Sequence, residues 1–190
     1  MRIAALVLLI AVHAGAGCAA APRAERARPT VVYLVRHAEK ADTTRDPTLS
    51  AAGEARARAL DSALRDAGVQ AVVTTQLRRT ALTAAPLAER RALAPEVVQT
   101  TGQAHPEAVA RLVRERHAGE TVLVVGHSNT VPAIVAALGG PRPPDLCDAE
   151  YSRLFVLVLD GSTPARLART HYGAPDPPGA AECAAATRAR

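Results

Sequence analysis

Short runs of uninterrupted apolar residues alternate along the chain with longer stretches in which apolar residues recur every three or four positions. Residues 30–35 (Thr-Val-Val-Tyr-Leu-Val) are almost continuously apolar and β-branched, the pattern of a strand buried on both faces of a parallel sheet. Ser50 is placed to cap a helix whose apolar positions Ala57, Leu60, Leu64 and Ala67 keep helical spacing, and Gly68 ends it. Residues 69–75 predict a second strand, 77–89 a second helix and 97–98 a short strand. Pro106 opens a third helix running to about 117, 121–125 is a strongly apolar strand, and 130–138 is a short helix. After the Pro/Gly-rich loop 139–144, the segments 154–159 and 165–170 flank Asp160-Gly161 and predict a β-hairpin. The expected fold is α/β: a doubly wound, mostly parallel sheet with helices on both faces and a C-terminal β-hairpin.

The ends differ from this middle. Residues 1–17 place Arg2 before the apolar run 3–12 and then small residues, which is the pattern of an export signal. The run is about half of the roughly 20 apolar residues that span a bilayer, so a permanent membrane helix is the weaker reading. Cys18 after Ala16-Gly17 resembles a bacterial lipobox, with Gly15 where an aliphatic residue is usual. The chain is therefore expected to be exported to a bacterial cell envelope and held to the membrane only by a lipid on Cys18; a soluble periplasmic or secreted form is the alternative. Residues 18–29 read as a tether, 30–172 as the single folded domain, and the Ala/Pro-rich residues 173–190 as a flexible tail. In an oxidising compartment Cys147 and Cys183 are left as a possible disulfide.

Hydrophobic residues make up 48% of the chain and aromatic ones 2%, so the core has to be built from aliphatic side chains. The formal charge is +5, but the arginines are scattered, and Tyr33, Tyr151, Phe155 and Tyr172 are too sparse to stack bases, which argues against nucleic-acid binding. Most arginines are expected on a solvated face, with a local anion site as the exception.

That exception is found by position. Ligands of doubly wound sheets bind beyond the carboxyl ends of the strands. The residues that follow the predicted strands are Arg36-His37, Arg78-Arg79 and Gly126-His127-Ser128. Arg78 and Arg79 fall in the first turn of a helix, where a cation opposes the helix dipole unless it shares an anion with the free backbone N–H groups. A neutral imidazole can attack phosphorus in line while guanidinium groups offset the charge on the equatorial oxygens, so this set points to phosphoryl transfer through histidine.

Four motifs carry a resemblance: Leu34-Val-Arg-His-Ala-Glu-Lys40, Leu49-Ser-Ala-Ala-Gly53, Leu77-Arg-Arg-Thr-Ala-Leu-Thr-Ala84 and Val125-Gly-His-Ser128. In that order, over about residues 30–172, they resemble the histidine phosphatase (phosphoglycerate-mutase-like) superfamily, in its small phosphatase branch. The resemblance implies that Arg36 and His37 are the signature pair, that His37 is transiently phosphorylated, that His127 is the second pocket histidine, and that Arg79 rather than Arg78 matches the family's arginine. It implies substrate contacts from Arg36, Arg79 and Ser128, and a His37 ring oriented by backbone near Gly53. No cofactor or metal is expected; the partner is a small phosphorylated metabolite or a phosphoprotein.

Ala38 stands where mutases have glycine and Thr43 where they often have asparagine, which argues against mutase activity. Ser128 stands where the acid-phosphatase branch has its aspartate, so the general acid is open, with Glu107, His105 and Glu39 as candidates. Cys147 and Arg153 have the Cys-x5-Arg spacing of cysteine-dependent phosphatases, but Asp148 and Glu150 would repel an anion there. The histidines lack close zinc-ligand spacing. A catalytically inactive phosphate-binding domain of the same fold, or a phosphoglycerate-mutase-type transferase, remains the alternative function. Mass spectrometry of the mature protein is expected to show loss of residues 1–17 and a lipid on Cys18, with Cys18→Ala released from the membrane. Retention of residues 3–12 would contradict export, and unchanged membrane association of Cys18→Ala would contradict lipidation.

Overall fold

The computed structural model describes residues 28–100 and 104–178. The expected export signal, Cys18, most of the tether and Cys183 lie outside the described residues. A six-stranded sheet has the order β3-β2-β4-β1-β5-β6, built from β1 (Thr30–Arg36), β2 (Ala71–Thr74), β3 (Glu96–Val97), β4 (Thr121–Gly126), β5 (Arg153–Leu159) and β6 (Arg166–His171). The first four are parallel where they pair, and β5 and β6 run antiparallel, as the sequence pattern predicts. The helices are α1 (Ala51–Ala63), α2 (Arg78–Arg91), α3 (His105–Arg116) and α4 (Thr130–Ala137).

Both sheet faces are covered, so the central strands have no polar face. Along β1 and β4, Val32, Leu34, Val122 and Val124 pack with Val109 and Val113 of α3 and Ile134 and Val135 of α4. The alternate positions Val35, Leu123 and Val125 pack on the opposite face with Leu60 of α1 and Leu87 of α2. This two-sided burial explains the near-continuous apolar runs. At the edge, β6 is mostly exposed and carries Arg166 and Arg169, which discourages pairing with a further strand. β3 starts one residue earlier than expected: Glu96 pairs with Val73 and Val97 with Thr74, while Val98 packs toward the core.

Ser50 caps α1 as predicted, its hydroxyl accepting from Gly53 N at 3.1 Å. One arginine of α1 is not on a solvated face. Arg56 is 4% exposed; its Nε donates to both carboxylate oxygens of Glu39 at 2.9 and 3.0 Å, and its Nη1 donates to the carbonyls of Tyr172 and Ala174 at 3.1 and 3.0 Å. A guanidinium paired and hydrogen-bonded in this way tolerates burial. The pair ties the loop after β1 to residues beyond β6.

The flexible tail expected from Gly173 is corrected for residues 173–178. Asp176 accepts from the backbone N of Tyr151 and of Ser152 at 2.8 and 2.9 Å and from the Ser152 hydroxyl at 2.7 Å, which pins this segment to the start of β5. Cys147 is buried and disulfide-bonded.

Gly53 is fixed by a close approach: any Cβ there would collide with the backbone carbonyl of Glu39, which also accepts from Ser50 N at 2.9 Å. Gly53→Ala must push the loop after β1 away from α1, and overpacking of this kind costs about 1–3 kcal/mol. Thermal denaturation of Gly53→Ala should show a lower midpoint than wild type; an unchanged midpoint would contradict the close packing.

Candidate active site

Parallel pairing of β1 with β4 brings Arg36 opposite Gly126, and His37 N donates to the Gly126 carbonyl at 2.9 Å. The residues that follow, His37 and His127, therefore sit side by side, their rings edge to face with centroids 5.3 Å apart. Gly126 is required because a Cβ would meet Thr130 Oγ1 at 2.9 Å, where α4 begins directly after the strand. The same hydroxyl accepts from His127 N at 2.9 Å. β2 lies on the far side of β4, so Thr75 and the start of α2 close the third side.

His37 is 4% exposed and its Nδ1 lies 2.8 Å from the Ala38 carbonyl. A carbonyl oxygen only accepts, so Nδ1 carries the hydrogen and the lone pair of the neutral ring is on Nε2. The orienting carbonyl belongs to Ala38 itself, which corrects the expectation that backbone near Gly53 would orient the ring. Gly53 acts one step back by supporting Glu39. Ala38 N donates to Thr83 Oγ1 at 2.9 Å, and that hydroxyl donates to the Arg79 carbonyl at 2.7 Å, joining the histidine loop to α2.

Two guanidinium groups flank the histidines. Arg36 is 4% exposed; its Nη1 donates to the carbonyls of Cys147, Asp148 and Glu150 at 2.7, 3.0 and 3.2 Å, and its plane lies over the Tyr151 ring at 4.2 Å. Arg79 is held loosely, with Nη1 3.4 Å from the Arg45 carbonyl and 3.9 Å from Asp46 Oδ1. The Nε atoms of both arginines are buried without a hydrogen-bond partner. Leaving a charged donor buried and unpaired is costly, so two such donors in one pocket mark a place made for an anion.

Electrostatics keep the histidines neutral. Burial pushes the His37 imidazole down to about 3 against the pull of the Ala38 carbonyl, and Arg36, His127 and Arg79 push the same way. Burial, then Arg79, His105 and Arg36, push His127 down to about 4. Burial also lowers Arg79, opposed by Asp46.

The remaining predicted residues divide. Arg78 is exposed, and only its backbone N is engaged, donating to Asp46 Oδ1 at 2.9 Å; Asp46 thus serves a helix whose own N-cap, Leu77, has no side-chain cap. Ser128 is half-buried and its carbonyl accepts from Leu146 N at 2.9 Å. His105 is buried, donates from Nδ1 to the Gln99 carbonyl at 3.0 Å, and is close enough to influence His127. Glu107 is exposed in the first turn of α3, where a carboxylate suits the helix dipole. Glu39 is held by Arg56, whose Nη2 lies 2.8 Å from Oε1 and whose Nε donates to both carboxylate oxygens, so its carboxylate is engaged away from the phosphate pocket and leaves the general-acid candidates.

The site also draws on Tyr151, Thr75 and Thr83, which the motifs do not assign to it. Thr83 lies within the third motif, and its place one turn after Arg79 was a usable signal; nothing in the sequence brings Tyr151 to within 6.3 Å of the His37 ring. The Cys147–Arg153 segment offers Arg36 carbonyl acceptors, the reverse of the N–H donors that a cysteine-phosphatase loop gives to phosphate. Among the described residues, no group of three or more His, Cys, Asp and Glu side chains is arranged to hold a metal ion.

The model of the histidine phosphatase superfamily (branch 1) matches residues 32–102, the stretch that carries Arg36, His37 and Arg79. The fold is similar to that of mycobacterial hydrolase 2, at 20% identity and a TM-score of 0.61, over 84% of this chain and 97% of that one. It is similar to mycobacterial glucosyl-3-phosphoglycerate phosphatase, at 19% identity and a TM-score of 0.59, over 77% and 100%. A protein assigned as the phosphohistidine phosphatase SixA of Agrobacterium tumefaciens aligns at 23% identity with a TM-score of 0.57, over 77% and 99%. No curated protein matches the chain by sequence. Over residues 32–102 the chain is thus similar in sequence to the histidine phosphatase superfamily, and its fold is similar to phosphatases solved before.

Both histidines are neutral when folded and have ordinary values near 6.5 when unfolded, so unfolding takes up protons as pH falls below 6.5. Their contribution to stability is complete above pH 6.5 and is lost progressively as the pH falls to about 4 for His127 and about 3 for His37. NMR titration should leave the His37 ring neutral at pH 5, and the melting temperature should fall between pH 6.5 and 4; an imidazole titrating near 6.5 would contradict the buried, cation-flanked site.

Proposed function

We propose that the chain is a phosphatase that hydrolyses a phosphomonoester, or a phosphohistidine or other phosphoprotein, through a phosphohistidine at His37. The observation that carries this reading is the bare Nε2 of a neutral His37 between arginines with unpaired Nε donors. A pocket that only bound phosphate would gain from a donor at that position, whereas an acceptor lone pair facing an anion is repulsive. A nucleophile needs that lone pair.

In the first step Nε2 forms a bond to phosphorus as the ester P–O bond breaks, and the leaving oxygen takes a proton. In the second, water attacks phosphorus and gives a proton back to the group that protonated the leaving oxygen, the P–N bond breaks, and phosphate leaves with His37 neutral again. Arg36 and Arg79 bind the charge that the transferring group spreads over its oxygens. No metal ion takes part. With Glu39 engaged by Arg56, His105 and Glu107 remain as candidate proton donors. The open acid position suits leaving groups that depart easily, such as a phosphohistidine imidazole or an acyl group. That two of the similar folds are a metabolite phosphatase and a protein assigned as a phosphohistidine phosphatase supports the same class of substrates. The proposed setting is the bacterial envelope, with a lipid on Cys18 as the membrane link.

Turnover of p-nitrophenyl phosphate and of phosphohistidine peptides by the full chain should survive chelators. His37→Ala should lose at least about 10⁴-fold in kcat. Arg79→Ala should lose on the order of 10²-fold in kcat/KM, about 3 kcal/mol of transition-state binding. A folded His37→Ala of near-normal activity would refute the reading.

A further inference from the structure

His127 is not alone at the end of β4. Thr75, 2% exposed and one residue past β2, places its Oγ1 3.3 Å from His127 Nε2 and 3.0 Å from the hydroxyl of Thr80 in α2. Its oxygen also accepts from Leu77 N at 3.3 Å. Thr80 Oγ1 donates to the Leu77 carbonyl at 2.8 Å and accepts from Thr75 N at 3.1 Å, so its own hydrogen is committed. The Thr75 hydrogen therefore has two acceptors to choose between. Directed at Thr80, it leaves its oxygen to accept from His127, whose ring then carries its hydrogen on Nε2. Directed at His127, it makes Nε2 an acceptor and puts the ring hydrogen on Nδ1. No described residue bonds to Nδ1, so that nitrogen is the one left for a ligand.

We propose that Thr75 is a positioning residue for His127, its hydroxyl turning from Thr80 to His127 Nε2 when a phosphoryl group arrives, so that Nδ1–H is donated to a phosphoryl oxygen. The ring loses its hydrogen at Nε2 and gains one at Nδ1 by exchange with water, so its charge does not change. A neutral imidazole has a single hydrogen, and only its placement makes the second histidine a donor. The charged and titratable groups around it are Arg79, Arg36, His105 and His37, which hold the ring neutral and leave placement as the available adjustment. Thr80 supplies the resting acceptor, so the hydroxyl is satisfied in both states and neither state strands a buried polar group.

The inference rests on the phosphate-pocket reading of the site, and its test separates the two. Imidazole ¹⁵N shifts of His127 are measured in the full chain with and without inorganic phosphate, alongside p-nitrophenyl phosphate kinetics for wild type, Thr75→Val and Thr75→Ser. In the wild-type phosphate complex the hydrogen should be on Nδ1, with Nε2 accepting. Thr75→Val, which leaves Nε2 with neither donor nor acceptor, should no longer hold the hydrogen on Nδ1 alone and should lower kcat/KM about tenfold at pH 7.5, while Thr75→Ser should stay within about twofold of wild type. The Val deficit should persist to pH 5 and shrink only as the pH approaches about 4, where an imidazolium with hydrogens on both nitrogens forms; a purely structural defect would be insensitive to pH and would not be rescued by serine. Hydrogen on Nε2 in the wild-type complex overturns the proposal even where Thr75→Val fails to fold, as does a Val variant with the wild-type tautomer and pH profile. A wild type that neither turns over the ester nor binds phosphate removes the function reading and this inference together.

Discussion

The 2.8 Å hydrogen bond from His37 Nδ1 to the Ala38 carbonyl decides what this pocket can do, because it fixes which nitrogen holds the lone pair. Much of the surrounding structure serves to keep that carbonyl still. Ala38 N is held by Thr83 of α2, the Glu39 carbonyl by Ser50 N, the Glu39 carboxylate by the buried Arg56, and Gly53 lets α1 approach the loop without a side chain in the way. The ring itself hangs from the sheet through His37 N to Gly126. Rotation of the imidazole would strand its buried N–H, so the tautomer is as secure as the packing around it.

Around this fixed base the charges are set against one another. Two arginines with buried, unpaired Nε atoms raise the affinity for a dianion, and their fields, with burial, keep both histidines unprotonated. Arg36 is anchored by three carbonyls of the 147–150 loop, whose ends are tied by the Cys147 disulfide and by Glu150 to Arg153. Arg79 is held only by long contacts at the rim. One arginine is thus preorganised and the other can adjust to the substrate, a division that suits a group whose charge distribution changes as the P–O bond breaks.

The sheet was legible because each central strand is buried on both faces and so is spelled in valine and leucine, and two helix starts because Ser50 and Pro106 mark them; α1 stops at Ala63, capped at Leu64, short of the end that Gly68 suggests. His37, Arg36, His127 and Arg79 stood out because each follows a strand, where a purely structural chain has no use for such residues. Other contacts left no local mark. Glu39 reads as a free acid until Arg56, seventeen positions away, is seen to turn inward. Tyr151 gains its place from a chain reversal between α4 and β5, and residues 173–178 are held by Asp176, whose backbone partners carry no sequence signature. The role of Thr75 depends on the direction of one hydroxyl, which no spacing encodes.

The central claim is the covalent bond from phosphorus to His37 Nε2, and it is tested most directly by trapping it. The full chain is mixed with a ³²P-labelled phosphohistidine peptide or aryl phosphate, quenched in alkali within milliseconds, digested, and the labelled peptide sequenced. The account predicts label that is stable in base, labile in acid and carried by the peptide containing residue 37, absent from His37→Ala. Label on Cys147, or turnover with no phosphoryl-enzyme at the shortest quench times, would contradict it.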